Sequence, residues 1–213
     1  MKNETIIPRA ETTKESIIQA AHRLFVESGY HGTSMRQIAQ ASGIALGGIY
    51  NHFPGKEGIF IAVLLAHHPM HDVLPTMLAA HGETLEAFVR DAATRMVAKM
   101  DDRLDFLNLM FIELVEFNGQ HLPSLFKVFI PQVMEFAERF NQGSEQLKPI
   151  PIPILIRAFI GLFFSFVMTE LLLGKQMPAN MQTNALNYFI DIFLYGILKE
   201  GDYAEHTPEL YHP

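Results

Sequence analysis

The sequence of 213 residues contains no cysteine, which excludes a disulfide framework and a thiolate metal site. Its first residues, MKNETIIPRAETTKE, lack the apolar core of a secretory signal peptide, so we expect a cytoplasmic protein. Hydrophobic residues nevertheless make up 49% of the chain. This fraction is typical of a well-packed globular protein and argues against disorder.

A long uncharged hydrophobic run is also missing. Residues 150–174 form the most apolar stretch, but Arg157 and Glu170 interrupt it and leave 12 uncharged residues between them. A membrane span needs about 20 such residues. We therefore expect a buried helix here and no membrane contact.

Positive charge is scarce for a nucleic-acid-binding protein, since the formal net charge is −7. The acidity is uneven, however. Residues 1–60 carry six Lys and Arg against five Asp and Glu, whereas residues 61–213 carry ten against 18. The N-terminal part thus remains free to bind phosphate groups.

Alternating β-branched patterns are scarce, and helical periodicity recurs along the chain, so we predict an all-α fold. The first helix is expected to start with a capping box at Thr12 and Glu15 and to end at Gly29. Thr33 or Ser34 is expected to cap the second. Breaks rich in Gly, Pro or Asn separate the predicted helices, which lie near residues 12–28, 35–41, 45–51, 56–66 or beyond, 84–100, 102–118, 124–141, 153–173 and 181–199.

Two short helices joined by the turn Ser42-Gly43-Ile44 follow the longer first helix, which is the pattern of a helix-turn-helix. With Ile49 and Phe53 facing inward, the helical register predicts that Gly47 and Gly48 lie on the outward face. Each glycine costs a helix about 0.5–1 kcal/mol relative to alanine. In return, a missing side chain allows close approach of the backbone to another surface.

The stretch TSMRQIAQASGIALGGIYNHFPGKEGIF, residues 33–60, resembles the N-terminal DNA-binding signature of the tetracycline repressor (TetR) family. The resemblance covers residues 12–56. It implies a homodimer that binds a palindromic double-stranded DNA operator, most often as a repressor, and that is released by a small hydrophobic effector. The matching positions are Thr33/Ser34, Ile38-Ala39, Ser42-Gly43-Ile44, Gly48-Ile49-Tyr50, His52-Phe53 and Lys56.

The resemblance also implies which residues contact DNA. His52 and Lys56 match phosphate contacts, and Arg36 matches a residue that contacts a base or a phosphate. Because the second short helix carries two glycines, we expect Arg36, Leu46 and Tyr50 to supply the sequence preference, aided by DNA shape. The complete predicted set is Ser34, Arg36, Ala45, Leu46, Gly47, Gly48, Tyr50, Asn51, His52 and Lys56.

Two further sets of residues are predicted in the C-terminal part. An effector pocket is assigned to Met96, Met100, Leu107, Met110, Phe111, Leu114, Phe117 and Glu170, with plain hydrophobic core as the alternative for each apolar member. A dimer interface is assigned to Phe159, Phe163, Val167, Leu171, Leu186, Ile190, Phe193, Leu194 and Ile197, with coverage of the pocket as the alternative. If buried, Asn108, Glu113 and Glu170 each need a polar partner.

The predicted organisation is an N-terminal tail (1–11), a three-helix DNA-binding domain (12–56), a helical ligand-binding and dimerisation domain (57–200) and a C-terminal tail (201–213). Pro69 disrupts the spacing of the histidines at 67, 68 and 71, so we expect no metal site and no cofactor. A DNA-binding regulator controlled by a protein partner or by abundance remains an alternative. A helical enzyme or carrier is disfavoured, because the sequence shows no nucleophile–base pair and no Gly-rich phosphate loop.

Overall fold

A computed structural model of the chain describes residues 9–100 and 104–199. Their regular structure is helical, without a β-strand, which confirms the predicted all-α class. Short 3₁₀ turns occupy Ser144–Gln146 and Gly174–Gln176. The α-helices are α1 (Arg9–Gly32), α2 (Met35–Ser42), α3 (Leu46–Tyr50), α4 (Lys56–Ala66), α5 (Met70–Leu78), α6 (Leu85–Met100), α7 (Leu104–Glu116), α8 (Leu122–Gln142), α9 (Ile152–Leu173), α10 (Ala179–Gln182) and α11 (Ala185–Ile197).

Two details differ from the sequence prediction. Helix α1 already begins at Arg9, so Thr12 lies inside the helix and does not cap it. Helix α5 was not predicted, because it contains Pro75 and follows Pro69, which acts as its N-cap residue. Residues 1–8 and 201–213 of the predicted tails lie outside the described residues.

The chain packs into two units, and each unit combines two separate stretches of the sequence. Of the described residues, the first unit contains 9–68 and 104–128, and the second contains 69–100 and 129–199. Helix α7 therefore belongs to the same unit as α1–α4, although the sequence assigned it to the C-terminal domain. The predicted domain ranges and the packing units are thus different divisions of the chain.

The first unit is built on the inward faces of α1, α2, α3, α4 and α7. Gly29 has a φ of 71° and lets the backbone turn sharply near the end of α1. Its core contains the buried side chains Ile17, Ala21, Phe25, Ile38, Ala39, Ile49, Phe53, Ile59, Phe60, Val63, Leu64, Phe106, Leu109 and Leu125. Contacts of α7 with α1 and α4 explain why this helix belongs here.

The second unit has a core rich in phenylalanine. Phe159 of α9 packs against Phe136 of α8 and Phe193 of α11, with ring centroids 5.3 and 5.5 Å apart. At the edge of this core, an Arg90 guanidinium nitrogen of α6 lies 2.6 Å from a carboxylate oxygen of Asp191 in α11. Although burial opposes the charge, hydrogen bonds to Asp191 and Glu86 raise the pKa of Arg90, so the link stays charged.

Helix α9 is long and apolar enough to cross a membrane by length and composition. Its inward face, however, supplies Leu155, Ile156, Phe159, Phe163, Phe166 and Val167 to the core of the second unit. The helix is therefore a core helix, as the interrupting charges predict.

Candidate DNA-binding surface

Helix α2 starts at a fully formed capping box. The backbone N–H of Gln37 donates to Ser34 Oγ at 3.2 Å, and the backbone N–H of Ser34 donates to Gln37 Oε1 at 2.8 Å. Thr33 is buried instead and donates its hydroxyl to the carbonyl oxygens of Leu24 and Gly29. Ser34 is therefore the cap, and its side chain stays exposed at the protein surface.

The turn between α2 and α3 depends on Gly43, which has a φ of 71° and ends α2. Helix α3 is held by Ile49, which is fully buried, and by Phe53, which is buried just after the helix. These two side chains keep the i, i+4 register that the sequence predicted. The opposite face of α3 consequently points away from the core.

The exposed face of α2 and α3 carries three side chains suited to reading bases. Arg36 is exposed, and Leu46 and Tyr50 are 41% and 53% exposed although both are large and hydrophobic. Arginine forks bind guanine O6 and N7, and apolar side chains contact the thymine methyl group. These are the three residues expected from the sequence to supply base preference.

The two glycines of α3 have different surroundings. A Cβ atom at Gly47 would meet no atom within 4 Å, so this position is open to the outside. A Cβ atom at Gly48 would lie 3.0 Å from Ile44 Cγ2, within the protein itself. The outward placement predicted for both glycines therefore holds for Gly47, whereas at Gly48 the missing side chain makes room for Ile44.

Lys56 is engaged inside the first unit. Its Nζ donates to the carbonyl oxygens of Tyr30 and Thr33, each at 2.7 Å, and lies 4.1 Å from the centre of the Tyr30 ring. Burial lowers the pKa of Lys56, while the nearby charge of Glu116 opposes this shift. The ammonium thus joins the start of α4 to the turn between α1 and α2.

The remaining predicted residues flank α3. Ala45 is its exposed N-cap residue, Asn51 is its exposed C-cap residue, and His52 is half-buried. All ten predicted DNA-contacting residues lie between residues 34 and 56 of the first unit: on α2 and its N-cap, on α3 and the residues that flank it, and at the first residue of α4.

The predicted effector pocket is not gathered in either unit. Met96 and Met100 are buried in the core of the second unit, whereas Met110 and Phe117 pack against the core of the first. Leu107 is buried and belongs to the first unit. Phe111 and Leu114 are 54% and 49% exposed. These residues are thus divided between the two units, and the pocket that they were predicted to line stays a prediction.

The residues of the predicted dimer interface lie in the core of the second unit or pack against it. Seven of its members are buried in the core of the second unit, and Leu171 and Leu186 pack against that core. The stripe is a continuous apolar face that packs against neighbouring helices of its own chain. The seven core members are Phe159, Phe163, Val167, Ile190, Phe193, Leu194 and Ile197.

The surface that the sequence missed lies on the opposite faces of α9 and α11. Large apolar side chains are exposed there together with small residues at helical spacing. The sequence indicates such a surface, because both helices are apolar on nearly every side. The large residues are Ile154, Phe164, Leu172, Ile192 and Tyr195, and the small ones are Ala158, Gly161 and Gly196.

Two cavities lie in the second unit. One, of about 310 Å³, is lined by Glu170 and Phe166 of α9, by Thr94 of α6 and by Gln182, Asn184, Ala185, Leu186 and Asn187. The other, of about 230 Å³, lies between the start of α6 and the end of α8 and includes Arg139, which stacks on Phe88. Glu170 is the predicted pocket residue that lines one of them.

The histidines after α4 have separate surroundings. His67 stacks on His22 with ring centroids 3.8 Å apart, His68 packs against Phe106, and His71 packs against Phe129. Within residues 9–100 and 104–199, no group of three or more metal-ligating side chains is present.

Comparison with known proteins supports a DNA-binding role for the surface of α2 and α3. Residues 17–63 match the family of bacterial regulatory proteins, tetR family. The chain is 22% identical over 195 residues to the HTH-type transcriptional regulator YvkB of Bacillus subtilis, covering 87% of this chain and 97% of YvkB. It is 28% identical over 192 residues to the HTH-type transcriptional regulator SrpR of Pseudomonas putida, covering 84% of each.

Solved structures share the fold. The structure of SmeT, the repressor of the Stenotrophomonas maltophilia multidrug efflux pump SmeDEF, superposes with a TM-score of 0.63 at 19% identity, covering 93% of this chain and 96% of SmeT. The fold and the surface of α2 and α3 thus define a helix-turn-helix DNA-binding protein with an additional helical domain. The matched family then identifies this part of the chain: residues 17–63 form a DNA-binding domain of the TetR family of bacterial regulatory proteins.

Proposed function

We propose that this regulator is a cytoplasmic homodimer that binds a palindromic operator as a repressor and is released by a small hydrophobic effector. The observation that carries the proposal is the exposed surface of Arg36, Leu46 and Tyr50 on a TetR-type DNA-binding unit. Large apolar side chains that are exposed on the isolated protein mark a surface that a binding partner covers. Here the partner is the major groove of DNA.

Base reading and phosphate binding fall to different residues of this surface. Arg36, Leu46 and Tyr50 face outward and contact base edges, and the open position at Gly47 allows the backbone of α3 to approach the groove. Ser34, His52 and Lys56 contact phosphates, with Ala45, Gly48 and Asn51 at the edges of the contact. Phosphate contacts position the protein, whereas base contacts specify the sequence.

Dimerisation is assigned to the exposed faces of α9 and α11. Ile154, Leu172 and Ile192 supply apolar area, while Gly161 and Gly196 lack side chains that would hold two helices apart. Paired with their twofold copies, the two helices form a four-helix bundle. This interface replaces the one predicted from the buried stripe of the same helices.

The effector is assigned to the cavity that Glu170 lines. Its volume of about 310 Å³ lies at the lower end of the range for small-molecule sites. Phe166 and Leu186 provide apolar surface, and Glu170 and Asn187 provide hydrogen-bonding groups. A small hydrophobic molecule with one polar or cationic group fits this lining.

Two measurements test the proposal. In a gel shift with DNA from upstream of the chain's own gene, we expect one retarded complex of a dimer. Mass spectrometry of molecules that copurify with the protein, followed by their addition to the complex, tests effector release. A regulator that binds this DNA but is released by none of them would be controlled by a protein partner or by its abundance.

A further inference from the structure

Glu113 of α7 is fully buried. Among the residues that the structure describes, it is the one charged residue that is buried. A buried carboxylate is stable only when its oxygens are hydrogen-bonded. Here Oε1 accepts the backbone N–H of His121 at 2.8 Å, and Oε2 lies 2.8 Å from His121 Nδ1. Glu113 thus fixes both the backbone and the ring of His121.

The other ring nitrogen of His121 faces a second carboxylate. Nε2 lies 3.1 Å from Oε1 of Glu57, which belongs to the first turn of α4. Only the imidazolium form has a proton on both ring nitrogens and can donate to both carboxylates. In that form, His121 links the segment between α7 and α8 to the start of α4.

The neutral form of His121 has a different partner within reach. Glu113 keeps the proton on Nδ1, because the buried carboxylate has no other partner for that oxygen among the hydrogen bonds described. Nε2 then carries a lone pair, which is repelled by the Glu57 carboxylate that it faces. The amide nitrogen of Gln120 lies 3.2 Å from Nε2 and also 3.2 Å from Glu57 Oε1, so it can donate to the ring instead.

Glu57 stands next to the residue that holds the DNA-binding surface together. Lys56 donates to the carbonyl oxygens of Tyr30 and Thr33, and Ser34 caps α2 immediately after Thr33. The position of the first turn of α4 therefore bears on the turn from which α2 starts.

Other charges also surround this cluster. Glu116 of α7 pairs with His31 of α1 and lies close enough to oppose the lowering of the Lys56 pKa. Burial, with added effects of Glu57 and Glu116, raises the pKa of Tyr30, which therefore stays neutral near pH 7. Of the histidines on these elements, His31 pairs with Glu116, His22 stacks on His67, and His121 is the one in contact with Glu57 among the described contacts.

We propose that His121 is a proton-dependent positioning residue for DNA binding. Protonated His121 bridges Glu113 and Glu57 and holds the start of α4 in place, whereas neutral His121 turns to Gln120 and releases Glu57. DNA affinity is therefore higher at pH 6 than at pH 8 through a residue that does not touch DNA. This inference needs DNA binding by the full chain, but neither an effector nor a particular operator.

The test compares DNA affinity at pH 6.0 and 8.0 for the wild type and for Glu57→Gln, which removes the charge from a largely exposed side chain. The probe is a duplex that the wild-type protein selects from a random-sequence pool at pH 7. Between the two pH values, we expect the wild type to lose about two- to fivefold more affinity than Glu57→Gln, the range for a solvent-accessible ion pair. Gln120→Ala should move the loss of affinity to higher pH, because the neutral ring then has no alternative partner.

Glu27→Gln is the matched control, since Glu27 is an exposed carboxylate of the same unit on α1, and it should keep the wild-type pH dependence. The contributions of His31 and His52 remain in all these variants and cancel in the comparison. An NMR titration of the His121 ring in the full chain should show a lower pKa in Glu57→Gln than in the wild type. Equal pH dependence in wild type and Glu57→Gln, or an unchanged His121 titration, would overturn the proposal.

Discussion

Lys56 donates a hydrogen bond of 2.7 Å to the carbonyl oxygen of Thr33, which joins the first residue of α4 to the residue before the cap of α2. A second bond of the same length reaches Tyr30. An ammonium has three protons, so one remains for a DNA phosphate. Lys56 therefore joins two parts of the first unit, and the proposed phosphate contact uses its third N–H.

Replacing Lys56 tests both roles. Lys56→Met keeps the apolar stem but removes both hydrogen bonds, so we expect a loss of about 1–2 kcal/mol in the free energy of unfolding. DNA affinity should fall by a similar factor for every operator variant, because phosphate contacts carry no base preference. Thermal unfolding and fluorescence anisotropy measure the two effects.

The matched control for this charge change is Arg23→Met, which removes an exposed cation of α1. It should leave the melting temperature within experimental error. A Lys56→Met protein that melts like the wild type, or that prefers a different operator sequence, would contradict the dual role.

Arg36 is expected to control base preference. A bidentate contact to guanine is worth about 1–3 kcal/mol of discrimination, so Arg36→Ala should relax the preference at one base position of each half-site. Selection of binding sites from a random pool, carried out for wild type and variant side by side, measures this. Because Arg36 is exposed, the stability of the variant should equal that of the wild type. A uniform loss of affinity without a change in the selected sequence would instead assign Arg36 to a phosphate.

The two glycines of α3 should respond differently to alanine. At Gly47 a Cβ atom meets nothing within 4 Å, so Gly47→Ala should stabilise the helix by about 0.5–1 kcal/mol. The same methyl group should weaken DNA binding if the backbone approaches the groove closely. At Gly48, Cβ would lie 3.0 Å from Ile44, so Gly48→Ala should gain less stability or lose some. Unfolding and anisotropy data on both variants decide this, and unchanged affinity of Gly47→Ala would show that α3 does not approach DNA through this position.

The sequence predicted local elements well and spatial partners poorly, for a physical reason. Most of the helices, a cap at Thr33 or Ser34 and the inward register of Ile49 follow from short-range patterns that a few neighbouring residues determine. The partner of Phe193 is not a local property, because an apolar stripe looks the same whether it faces its own core or a second chain. The internal role of Lys56 was hidden similarly, since it depends on carbonyl groups 23 and 26 residues away.

His22 should make the first unit sensitive to acid. Burial lowers its pKa from the ordinary value of 6.5, an effect only partly opposed by Asp105. As the pH falls below 6.5, the unfolded chain binds a proton that the folded chain does not, so the free energy of unfolding decreases until the folded pKa is reached. Thermal unfolding at pH 7.5 and 5.5 should therefore show a smaller loss for His22→Gln than for the wild type. Equal losses in both proteins would mean that His22 does not carry this effect.

The dimer surface is tested by placing a charge at its most exposed apolar residue. Ile192 of α11 is 64% exposed, so Ile192→Asp leaves the core of the second unit intact while burying a carboxylate in the proposed four-helix bundle. Analytical ultracentrifugation at micromolar concentration should show the wild type as a dimer and the variant as single chains of 24.1 kDa. Because a palindromic operator is bound by two DNA-binding units together, the variant should also lose most of its operator affinity.

The matched control is Val115→Asp, which places the same charge at an even more exposed apolar position, 73% exposed on α7 of the first unit. This variant should remain a dimer, because α7 has no part in the proposed interface. If Val115→Asp dissociates and Ile192→Asp does not, the interface lies on α7 and the assignment to α9 and α11 is wrong. If the wild type itself sediments as a monomer at these concentrations, the two DNA-binding units are not held together before they meet the operator, and the proposed release of a preformed dimer fails.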